Sequence, residues 1–142
     1  MIEVVTVVGA AASTVFDLEL DVDVHAASLR DSRETATTSS GRRRLVLGDE
    51  VAFRARHFGL PWRMTSRISA YDRPRYFADE QVRGPFRSMR HEHHFEELGD
   101  MRTKMTDRMT ISAPLGMSGV IAPYLKRLLT RRAMHIKRQA EA

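Results

Sequence analysis

The residues best suited to chemistry in this chain lie two apart on what reads as one strand. They are His91 and His93, with Asp107 on the segment that follows. The run from Phe86 to Phe95 alternates, so Met89, His91, His93 and Phe95 fall on one side, opposite Arg90, Glu92, His94 and Glu96. Gly99-Asp100 supplies a turn, and the return strand puts Thr103, Met105, Asp107, Met109 and Ile111 on one face. A plain core has no need of two imidazoles and a carboxylate.

Three chemistries suit this set. One is general acid/base work: His91 or His93, oriented by Asp107 or Asp79, would take a proton alpha to a ketone and promote an aldol-type ring closure. Another is metal binding, since a His-x-His pair can chelate with His57 or Asp107 as third ligand. That spacing is weakly specific, and no metal is expected. The favoured reading is a polar anchor for a mostly apolar guest. The sequence carries no nucleophile motif, phosphate loop or cofactor fingerprint, so no cofactor is expected.

The elements that must position these residues follow from the pattern. Residues 2–8 are β-branched and predict a strand. Ser13 or Thr14 would cap a helix beginning near Val15, and Asp21 to Leu29 predicts a second short helix. His25 and Ser28 there read as a helix-end network rather than a site. Arg30 to Ser40 predicts a strand and then a loop, and Gly41 with Arg42, Arg43 and Arg44 opens another extended stretch.

Clearer strands run Glu50 to Phe58, Trp62 to Tyr71 and Arg75 to Arg83, ended by Gly59-Leu60-Pro61, Asp72-Arg73-Pro74 and Gly84-Pro85. With the hairpin they make an antiparallel meander. A long helix begins near Gly119 or Pro123, with Pro123 suited only to its first turn. Leu125, Leu128, Leu129 and Ile136 form its apolar stripe.

Such a helix buries its stripe against the sheet, and a strongly bent sheet leaves a hollow beneath it. Alternation sends Val51, Phe53, Ala55 and His57 inward from the first central strand. It sends Met64, Ser66, Ile68 and Ala70 inward from the second, and Phe77, Asp79 and Gln81 from the third. The predicted lining is therefore Phe53, His57, Met64, Ile68, Phe77, Asp79, Gln81, Met89, His91, His93, Phe95, Met105, Asp107, Met109, Leu125 and Leu129. Apolar walls with a few convergent polar groups describe a ligand site, and methionine adapts to irregular guests.

Size and charge bound the alternatives. The 142 residues suit one domain, 1–142, and 42% hydrophobic against 29% charged residues argues for a folded chain. There is no Cys, which excludes disulfides and thiolate metal sites and fits a reducing cytoplasm. No apolar run approaches the roughly 20 residues a bilayer needs, and the N-terminus lacks the basic start of a signal peptide. The net charge of +5 is carried by residues 117–142, with six bases and one acid. With no nucleic-acid motif in view, this reads as a solvated helix face, with peripheral membrane contact as a lesser alternative.

The order of elements and a set of short motifs resemble the START-like or Bet v 1-like superfamily (SRPBCC), in particular its bacterial polyketide cyclase/dehydrase-like proteins. The motifs are Val15-Phe16-Asp17, Gly48-Asp49-Glu50-Val51 with Phe53, and His57-Phe58-Gly59. They continue with Ile68 and Asp72-x-Pro74, Phe77-x-Asp79, Gly84-Pro85-Phe86, His91-x-His93-x-Phe95, Thr103-x-Met105-x-Asp107 and Pro114-Leu115-Gly116. Ala10-Ala11-Ala12 stands where such proteins commonly carry a Pro before the first helix. The resemblance implies an α+β helix-grip fold, a bent antiparallel sheet wrapped around a long C-terminal helix, with two short helices after the first strand. It implies binding or transport of a lipid-, polyketide- or quinone-like molecule in an internal cavity. The alternative it implies is a cyclase/dehydratase using a cavity His/Asp pair, and a structural interaction module ranks third.

Overall fold

The computed structural model describes residues 1–28, 35–57 and 59–142. Seven strands form one antiparallel sheet: β1 (Ile2–Val8), β2 (Thr35–Thr38), β3 (Glu50–His57), β4 (Leu60–Asp72), β5 (Tyr76–Arg83), β6 (Ser88–Gly99) and β7 (Arg102–Ser112). Their order is β1-β7-β6-β5-β4-β3-β2. Helices α1 (Ala12–Glu19) and α2 (Val22–Ser28) follow β1, and α3 (Ser118–Glu141) follows a 3-10 turn at Pro114–Gly116. This is the expected helix-grip architecture. No described helix is long and apolar enough to cross a membrane.

Several local expectations are corrected. Helix α1 starts at Ala12 with Ala11 as its N-cap and no side-chain capping bond, so Ser13 and Thr14 lie inside its first turn. Good helix formers carry the start in place of a cap. The stretch expected to be extended from Gly41 makes only an isolated bridge, Arg44 to Asp21, while Arg43 pairs with Asp23 at 2.6 Å. Strand β4 begins at Leu60, because Gly59 with φ of 72° turns the chain and Pro61 already pairs with Arg56. The hairpin turn is centred on Asp100 and Met101, both left-handed, with φ of 52° and 57°. Pro123 lies beyond the first turn of α3, where its missing N–H leaves the exposed Gly119 carbonyl to solvent. The predicted segment Arg30 to Glu34 and the predicted strand end at Phe58 lie outside the described residues.

Curvature comes from β4, whose pairing with β5 slips between Thr65 and Ser66 and again between Ile68 and Ala70. Such bulges bend a strand. The second also turns the face: Tyr71, not Ala70, reaches the helix layer, with its ring 5.4 Å from Phe16. Phe16 of α1 meets Phe77 and Phe95 edge-on as well, at 5.4 and 5.3 Å. This aromatic knot fills one end of the concave face.

Helix α3, 24 residues and about 36 Å long, spans the other end. Its C-terminal turn is tied to the end of β1. There Lys137 Nζ donates to the Val7 carbonyl at 2.8 Å and Glu141 accepts from the Gly9 N–H at 2.7 Å. Near its start, Tyr124 meets β3 through a 2.7 Å hydrogen bond between its hydroxyl and His57 Nδ1. Anchored at both ends, α3 bridges the concave face and leaves a hollow under its leucines.

Candidate functional site

The hollow is a cavity of about 160 Å³ lined mainly by apolar side chains. Phe53, His57, Met64, Ile68, Phe77, Asp79, Met89, His91, Met109, Leu125 and Leu129 all reach its wall, joined by Val51 and Ala55. The sheet faces predicted from alternation supply part of the lining, alongside residues of all three helices.

Five predicted lining residues do not reach it. Gln81 is clamped to the β5–β6 turn, where Nε2 donates to the Phe86 carbonyl at 2.7 Å and Oε1 accepts from the Phe86 N–H at 3.2 Å. Any Cβ at Gly84 would collide with Gln81 Oε1, so the two residues are fitted to each other. Phe95 and Met105 belong to the core beneath α1. His93 and Asp107 are buried behind the wall, with His93 stacked on Phe77 at 4.0 Å between ring centres. The inner face of the sheet is shared between core and cavity, and these residues fall on the core side.

The structure adds lining that the motifs did not single out. Glu19 at the end of α1 and Arg132 of α3 form a buried ion pair at 2.8 Å on the cavity floor. Both interrupt apolar helix faces, which is a readable signal: Glu19 lies four residues after Val15, and Arg132 lies four after Leu128 and four before Ile136. His25 stacks on Phe53 at 4.7 Å and belongs to the wall rather than to a helix-end network alone. Trp62, Phe86 and Tyr124 line the half-exposed end near His57.

Floor and wall meet in one electrostatic cluster. His93 Nε2 bonds to Asp79 at 3.0 Å. Its Nδ1 lies 3.1 Å from Asp107 Oδ1 and 3.6 Å from Glu19, close enough for charge attraction but off the direction of a hydrogen bond. Burial alone would lower the His93 pKa, but the Asp107, Asp79 and Glu19 carboxylates override it and push it up to about 9. His93 is therefore an imidazolium at neutral pH.

His91 goes the other way: burial and the neighbouring His93 charge hold it below the usual histidine range, against the pull of Asp107. Burial would raise Asp107 and Asp79, yet the imidazoles hold both below the usual carboxylate range. His91 Nε2 lies 3.1 Å from Asp107 Oδ1. Since a carboxylate only accepts, that bond fixes the proton on Nε2. The other nitrogen, Nδ1, makes no hydrogen bond among the described residues.

Asp79, His91 and His93, and separately Glu19, His93 and Asp107, offer donor atoms close enough to hold a metal. The first set fits poorly: the His91 and His93 rings stack at 3.8 Å with only 31° between planes, so their lone pairs do not converge on one ion.

No protein-family model and no curated protein sequence matches this chain. Solved structures do. The Zhui aromatase/cyclase from Streptomyces sp. R1128 superposes with a TM-score of 0.78 at 18% identity, covering 99% of this chain and 92% of that one. Norcoclaurine synthase from Thalictrum flavum, in complex with dopamine and hydroxybenzaldehyde, gives 0.76 at 11% identity over 97% and 84%. Major latex-like protein 151 from Panax ginseng gives 0.72 at 15% identity over 98% and 95%. At such identities the likeness is one of fold.

Proposed function

With a START-like, Bet v 1-like helix-grip fold as the premise, we propose that this chain binds a small apolar or aromatic molecule between sheet and α3. The observation that carries this reading is a mostly apolar cavity with a group of polar side chains, Glu19, Asp79, His91 and Arg132, at its floor. Its volume of about 160 Å³ is close to the engineered apolar cavity of about 150 Å³ that takes up benzene. A single-ring aromatic or quinone-like guest suits that volume, whereas a whole lipid chain or a multi-ring polyketide needs a wider one. The test is titration with small aromatics followed by amide NMR. Shifts should concentrate at Phe53, Met64 and Leu129 and vanish in Ala55→Phe, which fills the cavity. Shifts that persist unchanged in that variant would refute cavity binding.

A second reading, proton transfer, is favoured by the His91–Asp107 pair. A neutral His91 on the wall, with Nε2–H held by Asp107, leaves Nδ1 available as a base. It would accept a proton alpha to a ketone and return it to the departing hydroxyl in a cyclisation and dehydration. The measurement is deuterium exchange at the central carbon of an aryl β-diketone in heavy water. A catalytic His91 predicts a loss of about 100-fold or more in His91→Ala. Exchange at the buffer rate in the wild-type protein would leave binding alone.

A further inference from the structure

Strand alternation sends a set of arginines to the outer face of the sheet, at the end where the cavity opens. Arg54 and Arg56 of β3 and Arg63 of β4 are exposed, and Arg54 sits directly opposite Arg63. Arg83 of β5 pairs with Thr65, two residues along from Arg63 on the same face. Like charges set opposite each other on a sheet are unfavourable. No ion pair joins any of the four to an acid among the described residues. Glu50 and Glu80, further along that face, are already held by Arg67 at 2.8 Å and Arg90 at 3.2 Å. Arg63 also reaches the cavity wall, so the charged patch runs up to the rim. A second observation concerns the rim itself. Leu60, paired with His57 of the mouth, is 60% exposed. On α3, Val120 lies one turn before Tyr124, and the Met117 carbonyl accepts from the Ile121 N–H, one turn on. Ile121 and Tyr124 line the cavity, whereas Met117 and Val120 are 44% and 66% exposed. Single exposed apolar side chains are ordinary. Three around one opening, beside unpaired arginines, mark an interaction surface.

We infer that the cavity mouth docks on an anionic membrane surface, with Leu60, Met117 and Val120 entering the headgroup layer and the four arginines bonded to lipid phosphates. This rests on the binding role proposed above and gives the guest its source. A molecule that fits an apolar cavity also concentrates in the hydrocarbon of a bilayer, so a mouth laid on the headgroups shortens its path through water. Arginine forks match phosphate oxygens, and each cation held near an anionic leaflet strengthens binding about fivefold. The apolar side chains stand on two elements, β4 and α3, on either side of the opening. That arrangement suits a fluid surface better than a shaped protein partner. Apolar insertion and charge attraction together are what hold a peripheral protein on a membrane.

Trp62, the single tryptophan, lines the mouth and reports on docking. The full chain is mixed with vesicles of phosphatidylcholine, alone or with about one third phosphatidylserine, and binding is read by flotation. Affinity for the anionic vesicles should be about 100-fold higher, should fall as salt rises, and should bring quenching of Trp62 by bromine-labelled lipid. Arg54→Gln with Arg56→Gln and Arg83→Gln should remove that preference. Leu60→Ser with Val120→Ser should weaken binding about tenfold and reduce the quenching. None of these five residues lines the cavity, so titration with a small aromatic in solution should be unchanged in both variants. Arg102→Gln with Lys104→Gln, at the far end of β7, should keep the preference. Equal binding to both vesicles, or binding without quenching, overturns the inference. So does a preference lost equally in the far-end variant, which would make the attraction general to a basic chain. Binding to neither vesicle overturns it in favour of an acidic protein partner. An intact aromatic titration beside any of these failures keeps the binding role. Docking as described with no aromatic titration would support the surface and remove that role.

Discussion

The two ends of the cavity solve opposite problems. At the floor, Glu19, Asp79, His93, Asp107 and Arg132 bring formal charges into a place with little water. At the mouth, His57, Trp62, Phe86 and Tyr124 present rings, with polar atoms tied together in the His57–Tyr124 bond at 2.7 Å and the Trp62 indole bond to the His57 carbonyl at 2.9 Å. Burying ions is a poor route to stability, because desolvation offsets most of the attraction. An apolar floor would fold as well or better. The contrast is between a floor that holds charges away from water and a mouth whose polar ring atoms are satisfied in pairs.

The sharpest way to break this contrast is to remove the floor's central cation. His93→Ala leaves three carboxylates around one guanidinium and should destabilise by about 3–5 kcal/mol in urea unfolding. A loss below 1 kcal/mol would mean that the imidazolium is not the keystone.

Next is the Glu19–Arg132 pair. Arg132→Met alone should lose about 3 kcal/mol by stranding a buried carboxylate, while Glu19→Leu with Arg132→Met should return close to wild-type stability. A double variant as unstable as the single one would show that the pair serves folding after all.

The pH dependence of stability separates the two histidines. His93 holds its proton to about 9 in the folded chain against about 6.5 unfolded, so its contribution is full below about pH 6.5 and is lost as pH rises through 9. That loss amounts to about 3 kcal/mol. His91, held below its ordinary pKa, gives the opposite limb: the unfolded chain takes up a proton that the folded one refuses, so stability falls as pH drops below about 6.5. Asp79 and Asp107 steepen the acid limb further down, as their charged forms are titrated away. Denaturant midpoints should peak near pH 6.5, and His93→Gln should flatten the alkaline limb and soften the acid one, because His91, Asp79 and Asp107 lose the His93 charge.

The smallest effect belongs to the mouth. Tyr124→Phe removes one partly exposed hydrogen bond, should lower stability by about 1 kcal/mol, and should speed guest exchange seen in NMR line shapes.

Much of this was legible in the residue pattern, and for a physical reason. In β6 and β7 a period of two assigns each side chain to a face, and the strands keep that period through Met89, His91, His93 and Phe95. Alternation says nothing about what covers a face, so it could not separate His91 on the cavity wall from His93 behind it. Nor could it foresee that Gln81 bends back to its own turn, or that the bulge after Ile68 exchanges Ala70 for Tyr71. The arginine run at 42–44 read as extended chain, yet only Arg44 forms a bridge, to Asp21, and Arg43 and Arg44 pair with Asp23 and Asp17 on the helical segments. Glu19 and Arg132 were readable as charges within apolar helix faces. Their meeting depends on how α1 and α3 pack, which no local pattern records.

The central claim is that the cavity takes a guest whose polar end lies at the floor. The most direct measurement is NMR of the wild-type protein and Ala55→Phe, each titrated with 2-phenylethanol. The account predicts saturable shifts at both Glu19 and Phe53 in the wild-type chain and none in the filled variant. Shifts confined to the outer face of the sheet, or equal in both proteins, would contradict it.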